Sequence, residues 1–297
     1  MSNEQFTQYL EYLFRVRRLS AHTVSAYARD LNLFERWLQH AQRERARVTV
    51  SDMRLFVCEL GRRGLSAASI NRVLSVVRGF YVFAKKKHWC ADNPARLVKN
   101  IKGPSKLPRF MFPPQAKAFY TLPSRTDILW QERDAALFAM LYSTGCRVSE
   151  IAALSLKDVH PHLSSAIVRG KGDRERTVFI APFAQNFLHV YMQARAQRCA
   201  RYASCTPALF VNQRGRSLSV RGIQYLVSRY VLLAQDVHAL SPHAFRHSFA
   251  STLIRRGADV RVAQELLGHA SVSTTQRYVH VTSEQLQDLY HRAHPRG

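Results

Sequence analysis

Apolar residues recur every three or four positions through the first hundred residues of the chain. The first stripe comprises Phe6, Tyr9, Leu10, Leu13 and Phe14, and the second runs through Val24, Tyr27, Leu31, Phe34 and Leu38 after Ser20. A third helix is predicted from Ser51-Asp52 to Gly61, and a fourth from Ser66 to the basic cluster at 85–87. Because this spacing places apolar side chains on one face of an α-helix, it predicts a small domain of four amphipathic helices.

The composition changes after these helices. Residues 92–114, with the sequence DNPARLVKNIKGPSKLPRFMFPP, contain five prolines and one glycine among basic residues. This composition is typical of a linker and argues against a continuous element. We therefore place the domain boundary near residue 105, with a helical domain and its linker over 1–105 and a second domain over 106–297.

The second domain is predicted to be mostly α-helical with one small antiparallel sheet. Helical periodicity or composition is present over residues 137–142, 151–154, 183–200, 219–234, 243–256 and 259–267. The stretch LSSAIVRGKGDRERTVFIA contains two short β-prone runs around a Gly-Lys-Gly turn, which predicts a hairpin. The predicted fold class is therefore mainly α.

The charge of the chain favours a polyanionic partner. Lys and Arg number 44 against 20 Asp and Glu, a formal net charge of +24, and residues 1–106 (20 basic, 8 acidic) and 107–297 (24 basic, 12 acidic) each carry +12. Two equally basic parts suit two lobes that face a DNA duplex, whereas a membrane-binding protein more often concentrates its basic residues on one helix or terminus. With no signal peptide and no run of membrane-spanning length, a cytoplasmic protein without membrane insertion is expected.

No cofactor is indicated by the sequence. The five cysteines show neither paired-ligand spacing nor an even disulfide framework, so we expect reduced thiols, most of them buried; they are Cys58, Cys90, Cys146, Cys199 and Cys205. The sequence contains no GxxxxGK[ST] phosphate loop and no obvious carboxylate cluster for two metals. We therefore expect neither a metal nor a nucleotide.

Four segments of the second domain carry polar residues that packing alone does not require. They are LYSTGCRVSEIAAL, the hairpin turn GKG, SPHAFRHSFASTLIRRG and LGHASVSTTQRYVH. Each has a simpler interpretation: a capping turn, a solvated turn lysine, an amphipathic helix with a basic face, and a packing tyrosine. His247 is the weakest candidate, because it is equally explained as a buried, hydrogen-bonded histidine. The six stronger candidates are Arg147, Lys171, His243, Arg246, His269 and Tyr278.

As a set, these residue types suit the breaking of a phosphodiester through a covalent protein link without a metal. Tyrosine has a pKa of ~10, which near pH 7 is a handicap of roughly 4 kcal/mol unless a base or a positive field assists. His243 and the two arginines supply that help, and guanidinium forks match the charge that develops on the non-bridging oxygens. His269 adds a hydrogen bond to the same oxygens, and Lys171 protonates the departing sugar hydroxyl as general acid.

The order of these motifs resembles the tyrosine recombinases. TGxRxxEI, GKG, HxxRHSFA, LLGH and TTQxY follow one another as they do in that family. Within it, the whole chain resembles the Xer-type chromosome-dimer recombinases, from SAHTVSAYARDL to the HPRG tail, and the tail resembles the D-type more than the C-type. The resemblance implies a two-domain C-shaped clamp, in which a helical core-binding (SAM-like) domain and a mostly α catalytic domain enclose the duplex.

The resemblance also implies a role for each candidate. Tyr278 would attack the scissile phosphate and form a 3′-phosphotyrosyl link, with Lys171 as general acid and His243 assisting proton transfer at the tyrosine. The residues that would hold the phosphate are Arg147, His269 and Arg246. Because the ester keeps the energy of the broken bond, rejoining would need no ATP.

The partners that the resemblance implies are a double-stranded DNA recombination site, a second Xer-type recombinase and a septal DNA translocase as activator. Four protomers, two of each recombinase type, would assemble on two sites, with the last helix, roughly residues 283–292, docking on a neighbour.

The sequence departs from the family pattern at positions that carry no catalytic group. Phe245 stands where Leu is usual, residues 251–252 are Ser-Thr instead of Thr-His, and Val279 replaces Thr beside the nucleophile. Arg277, beside Tyr278, either lowers the pKa of the tyrosine or faces solvent, and we favour solvent.

Alternative functions share parts of this pattern. A phage or mobile-element integrase would have the same active site with another cellular role, and a type IB topoisomerase has related chemistry on one strand at a time. A catalytically silent DNA-binding accessory protein would share the charge and the helices, but the complete set of six residues argues against it. An RNA-binding module is disfavoured, since neither an RNP-type aromatic strand nor a GXXG clamp is evident.

Overall fold

A computed structural model of the protein describes residues 4–103, 111–126, 130–170, 175–203, 206–234, 242–259 and 266–267. Over these residues the protein is mainly α-helical with one two-stranded antiparallel sheet, and the predicted fold class is confirmed in this respect. The chain divides into two compact units, residues 1–106 and 107–297, called the first and second unit below.

The first unit contains the four predicted helices. They are α1 (Glu4–Arg15), α2 (Ala21–His40), α3 (Val50–Arg62) and α4 (Ala67–Lys86). The predicted helices after Ser20 and from Ser66 are present as α2 and α4, and the side chains of these two serines cap them. The prediction was wrong at α3, where Thr49 is the cap: its hydroxyl accepts from the Asp52 backbone N–H, and the Asp52 carboxylate accepts from the Thr49 N–H. This reciprocal pair satisfies two backbone donors at once, which favours the earlier start.

The core of the first unit is apolar and rich in aromatic residues. Phe34 is fully buried and its ring centroid lies 5.1 Å from that of Phe56. Phe14, which the first stripe predicts to be buried, is 54% exposed. It lies eight positions after Phe6, and eight residues of an α-helix turn the side chain about 80° away from the starting direction. The predicted stripe was therefore one residue too long.

The second unit begins with a helix that the sequence did not predict. Helix α5 (Pro113–Thr121) starts inside the stretch assigned to the linker. Proline lacks only an N–H that is unpaired in the first helical turn, so two prolines at the start of a helix are compatible with it. The remaining elements are α6 (Gln131–Thr144), α7 (Val148–Ala153), β1 (Ser165–Arg169), β2 (Glu175–Phe179), α8 (Pro182–Arg201), α9 (Val220–Leu233) and α10 (Pro242–Arg255).

The predicted hairpin and helices of the second unit are present. Strands β1 and β2 pair antiparallel, with Ser165 opposite Phe179 and Arg169 opposite Glu175. Helix α6 is longer at both ends than predicted, and every residue from Arg133 to Thr144 is buried, so it has no polar face that would show in the sequence. Of the helix predicted over 259–267, the structure describes residue 259, in no regular element, and the helical residues 266–267.

Helix α10 is fixed in the second unit by two kinds of contact. The fully buried ring of Phe245 packs against Phe119 and Phe138 at centroid distances of 5.5 and 6.1 Å. The Phe that replaces the usual Leu at this position therefore serves core packing. The Ser248 hydroxyl accepts a hydrogen bond of 2.7 Å from the Met111 N–H. Both contacts orient the helix that carries His243 and Arg246.

The cysteines are less buried than expected. Of the four that the structure describes, only Cys146 is buried, Cys58 is exposed, and Cys90 and Cys199 are half-buried. Cys205 lies outside the described residues. In the described ranges, no helix has the length and hydropathy needed to cross a bilayer.

Candidate active site

A tight turn between α6 and α7 places Arg147. Gly145 ends α6 in the left-handed conformation, with φ of 62°, and its N–H donates to the Leu141 carbonyl at 3.1 Å. A side chain here would be strained, and its Cβ would lie only 2.5 Å from the Phe249 ring. Glycine is therefore required, and two residues later the chain enters α7 with Arg147 as its N-terminal capping residue.

Arg147 is bound by the carboxylate of Glu150 in the first turn of α7. The Arg147 backbone N–H donates to Glu150 Oε2 at 2.8 Å, and Arg147 Nη1 donates to Glu150 Oε1 at 2.8 Å. The Glu150 side chain is buried, while that of Arg147 is 36% exposed. The arginine is thus held from one side and accessible from another.

Arg176 on β2 is a third member of the site, and sequence reasoning missed it. Its Nη1 and Nη2 donate to Glu150 Oε1 and Oε2, both at 2.9 Å, and its Nε donates to the Leu266 carbonyl at 3.3 Å. Because side chains two apart in a strand share a face, Arg176 points to the same side as the buried Val178. A basic residue on the inward face of a predicted strand was the signal that could have found it.

Arg246 on α10 binds both the turn and the segment before LGH. The residue is 8% exposed; its Nη1 donates to the Gly145 carbonyl at 2.9 Å, and its Nη2 donates to the Leu267 carbonyl. Burial, and after it the positive charge of Arg147, lower the pKa of Arg246 to about 10. The guanidinium still carries its charge near pH 7.

The Glu150 carboxylate is ionised at neutral pH. Burial by itself raises the pKa of this group, but the hydrogen bonds from Arg176 and from the Arg147 backbone outweigh burial, so the net pKa is lowered. Burial raises the pKa of the neighbouring Cys146 thiol to about 11. That thiol is therefore protonated and a poor nucleophile.

The two histidines of α10 are both exposed. His243 lies in the first turn of the helix, three positions before the buried Arg246. The alternative interpretation of His247 as a buried histidine is wrong. The structure therefore brings Arg147 and Arg246 to one turn and places His243 at the start of the helix that carries Arg246. The predicted residues that lie outside the described ranges are Lys171, His269, Arg277, Tyr278 and Val279.

This arrangement suits an anion. Arg147 is close enough to Arg246 for its positive charge to disfavour the charge of Arg246. An anion between two guanidinium groups relieves that repulsion and accepts their hydrogen bonds in bidentate geometry. A phosphate has the charge and the oxygen spacing for such a site.

Comparison with known proteins assigns the class. Residues 112–285 match the phage integrase family, and residues 6–88 match the N-terminal SAM-like domain of phage integrases. The chain therefore belongs to the phage integrase family and is a site-specific tyrosine recombinase.

Individual relatives and solved structures show which members of the family the chain is similar to. The chain is 50% identical over 302 residues to the tyrosine recombinase XerC of Treponema denticola, with 99% of each chain covered. Among solved structures it is similar to the XerA recombinase, with 28% identity, a TM-score of 0.51 and full coverage of both chains. It also shares the fold of XerH bound to a palindromic difH substrate in a post-cleavage complex, with 22% identity, a TM-score of 0.72, and 96% and 84% of the chains covered. Because the curated relative is named XerC, the D-type assignment from the tail is not supported.

Proposed function

We propose that the protein resolves chromosome dimers at cell division by cutting and rejoining DNA strands at a specific site. The observation that carries the proposal is the pair of guanidinium groups, Arg147 and Arg246, held at one turn by Glu150 and by the Gly145 carbonyl. This pair binds the scissile phosphate. The full-length similarity to a recombinase named XerC supports the C-type role within such a system.

The chemistry proceeds through a covalent intermediate. Tyr278 attacks the phosphate and forms a 3′-phosphotyrosyl ester while a 5′-hydroxyl leaves. His269 joins the two arginines on the phosphate, Lys171 protonates the leaving oxygen, and His243 assists proton transfer at the tyrosine. Rejoining reverses these steps and requires neither ATP nor a metal.

The two arginines contribute most at the stage of the reaction when the negative charge on the phosphate is greatest. Negative charge grows on the non-bridging oxygens as the tyrosine attacks, and fixed guanidinium groups stabilise that charge without reorganising. Arg246 is buried and tied to two backbone carbonyls, so its orientation is set before DNA arrives. Such preorganisation is worth more in a partly dehydrated site than in water.

The DNA partner is a double-stranded recombination site that both domains contact. We assign residues 1–105 to a core-binding domain and residues 106–297 to the catalytic domain. Their equal net charge supports contact of both with the phosphate backbone. We further propose that the protein acts in the cytoplasm, in a heterotetramer with a second Xer-type recombinase and under activation by a septal DNA translocase.

Covalent trapping tests the proposal. Wild-type protein and Tyr278→Phe are incubated with a nicked duplex that carries the host's recombination site, together with the partner recombinase and a chelator, and are then run on a denaturing gel. We expect a protein-DNA band for the wild type and none for Tyr278→Phe, because the phenol oxygen is the nucleophile. Equal native gel shifts for both proteins are the control for binding.

Two results would contradict the proposal. A covalent band with Tyr278→Phe would assign the nucleophile to another residue. Tight site-specific binding without a band, even after the translocase is added, would identify a DNA-binding accessory protein.

A further inference from the structure

Arg176 directs three of its nitrogen atoms to protein acceptors. Nη1 and Nη2 bind the two oxygens of Glu150, and Nε binds the Leu266 carbonyl. Its side chain is only 15% exposed, compared with 36% for Arg147. Arg176 therefore acts within the protein, whereas Arg147 retains a surface that a phosphate can reach.

The charges of these groups define what Arg176 contributes. Three guanidinium groups and one carboxylate, those of Arg147, Arg176, Arg246 and Glu150, leave a net charge of +2 among these four described side chains. Without Arg176 the Glu150 carboxylate would be compensated by Arg147, and the three remaining groups would carry a net charge of +1. A phosphodiester carries one negative charge and gains more in the transition state, so this loss falls on the reacting group.

Arg176 also fixes backbone that Arg246 binds. It donates to the Leu266 carbonyl, and Arg246 donates to the carbonyl of the next residue, Leu267. Two arginines from β2 and α10 thus hold consecutive carbonyls of one short segment. Removal of the β2 arginine would loosen the segment to which the phosphate-binding arginine is tied.

We propose that Arg176 is a positioning residue for strand cleavage: it saturates Glu150, so that Arg147 is oriented by that carboxylate without being neutralised by it. The inference rests on the proposed function, since it concerns binding of the scissile phosphate by Arg147. Arg176 itself does not contact the DNA.

A neutral substrate separates this role from a merely structural one. Two duplexes are compared, one with the natural scissile phosphate and one with a methylphosphonate, in which an uncharged methyl replaces a non-bridging oxygen. The readout is the first-order rate of covalent attachment at saturating protein. The ratio of the two rates reports how much a protein gains from the charge of the substrate.

The variants are Arg176→Met and Arg176→Lys, with Arg195→Met as the matched control. Arg195 is also a buried arginine of the second unit, and it donates hydrogen bonds to the backbone carbonyls of residues 206, 208 and 209. Its loss destabilises the fold without touching Glu150. Melting temperatures of all variants measure that common structural effect.

We expect Arg176→Met to lower the rate on phosphate DNA by about 10- to 100-fold, since small misplacements of catalytic groups cost this much. On the methylphosphonate the rate of Arg176→Met should stay within about threefold of the wild-type rate, because there is less charge for Arg147 to stabilise. Arg176→Lys keeps the charge but not the fork, so its rate on phosphate DNA should lie between those of Arg176→Met and the wild type. Arg195→Met should leave the ratio of the two rates unchanged.

The outcomes are distinct. An equal loss on both substrates for Arg176→Met, as for a generally destabilised protein, would overturn the positioning role, and so would wild-type cleavage of phosphate DNA by Arg176→Met. Failure of the wild type to form any adduct with phosphate DNA would instead overturn the proposed function.

Discussion

Two buried carboxylates, Asp30 in the first unit and Glu150 in the second, differ in their hydrogen bonds and in the direction of their pKa shifts. In the first unit Asp30 on α2 is 1% exposed. Its Oδ1 accepts a hydrogen bond of 3.0 Å from Arg72 Nη2. Within the described part of the chain its Oδ2 has no hydrogen-bond partner. In the second unit both oxygens of Glu150 accept from the fork of Arg176, and each accepts again from Arg147.

The pKa shifts of these two groups have opposite signs. Burial raises the pKa of Asp30, and the attraction of Arg72, whose side chain is half-exposed, is too weak to reverse it. Burial also acts on Glu150, but hydrogen bonds from two arginines lower its pKa overall. Burial alone therefore does not decide the direction of the pKa shift; between Asp30 and Glu150 the difference comes from the hydrogen bonds that each carboxylate accepts.

The comparison also separates packing from function. The first unit is held mainly by apolar side chains, and the Arg72 side chain that pairs with Asp30 is half-exposed. The second unit places a charged network directly beside Arg147. Buried ion pairs rarely add stability over apolar packing of similar size, so we infer that the Glu150 network is retained for the proposed phosphate site.

Among the changes that test the contrast between Asp30 and Glu150, Glu150→Ala is expected to have the largest effect on the free energy of unfolding. Removing this carboxylate leaves Arg147 and Arg176 uncompensated, and breaking a buried pair in this way costs about 3–5 kcal/mol of unfolding free energy. Urea unfolding, monitored by hydrogen exchange of peptides from α7, measures the lost unfolding free energy in the second unit alone.

The exposed carboxylate of β2 supplies the matched control. Glu175 pairs with Arg169 at 2.9 Å with both side chains more than half exposed, so Glu175→Ala should cost about 0–1 kcal/mol. If Glu150→Ala costs no more than this control, the Glu150 network does not hold the second unit together.

An intermediate effect is expected from pH. The lowered pKa of Glu150 means that its stabilising contribution is present above the unfolded value of about 4.3 and is lost as the pH falls through the folded pKa. The raised pKa of Asp30 means that its contribution is present below the unfolded value of about 3.9 and is lost as the pH rises through the folded pKa.

The measurement compares Glu150→Gln and Asp30→Asn with the wild type across acid pH. The penalty of Glu150→Gln should shrink as the acid limit is approached, because the wild-type group then becomes neutral as well. Any gain from Asp30→Asn should likewise shrink on acidification. A penalty for Asp30→Asn that is largest at neutral pH would show that Asp30 is stabilised as an ion, against the comparison.

The smallest effect is expected for Asp30→Asn at neutral pH. The change removes a charge that burial disfavours and leaves Arg72 able to hydrate, so the unfolding free energy should change by less than about 1 kcal/mol. Hydrogen exchange of peptides from α2 measures it. A loss of unfolding free energy as large as that of Glu150→Ala would show that the two carboxylates stabilise their units equally, against the comparison.

Much of the local structure could be predicted from the sequence, because helix spacing and capping act over a few residues. The helices after Ser20 and Ser66 and the hairpin were confirmed. Each failure has its own physical cause. Thr49 displaced Ser51 because its side chain forms a reciprocal pair with Asp52, and α5 was missed because two prolines suit either a linker or a first helical turn.

The candidate site was predicted by motif and not by geometry. Arg147, His243 and Arg246 are recognisable in TGxRxxEI and HxxRHSFA, but nothing in those strings separates the exposed His243 from the buried Arg246 three positions later. Arg176 has no motif of this kind, and only the inward face of its strand marks it.

The sequence by itself determined most of the helices, the hairpin, the even distribution of positive charge and the order of the family motifs, since each depends on neighbours in the chain or on composition. Only the tertiary structure decided which charged groups are buried and what they bind. Glu150 and Arg176 are 26 positions apart, and Arg246 reaches the Gly145 carbonyl across 101 positions. A carboxylate or a guanidinium has its charge set by donors and acceptors that the fold brings from such distances, and local periodicity carries no record of them.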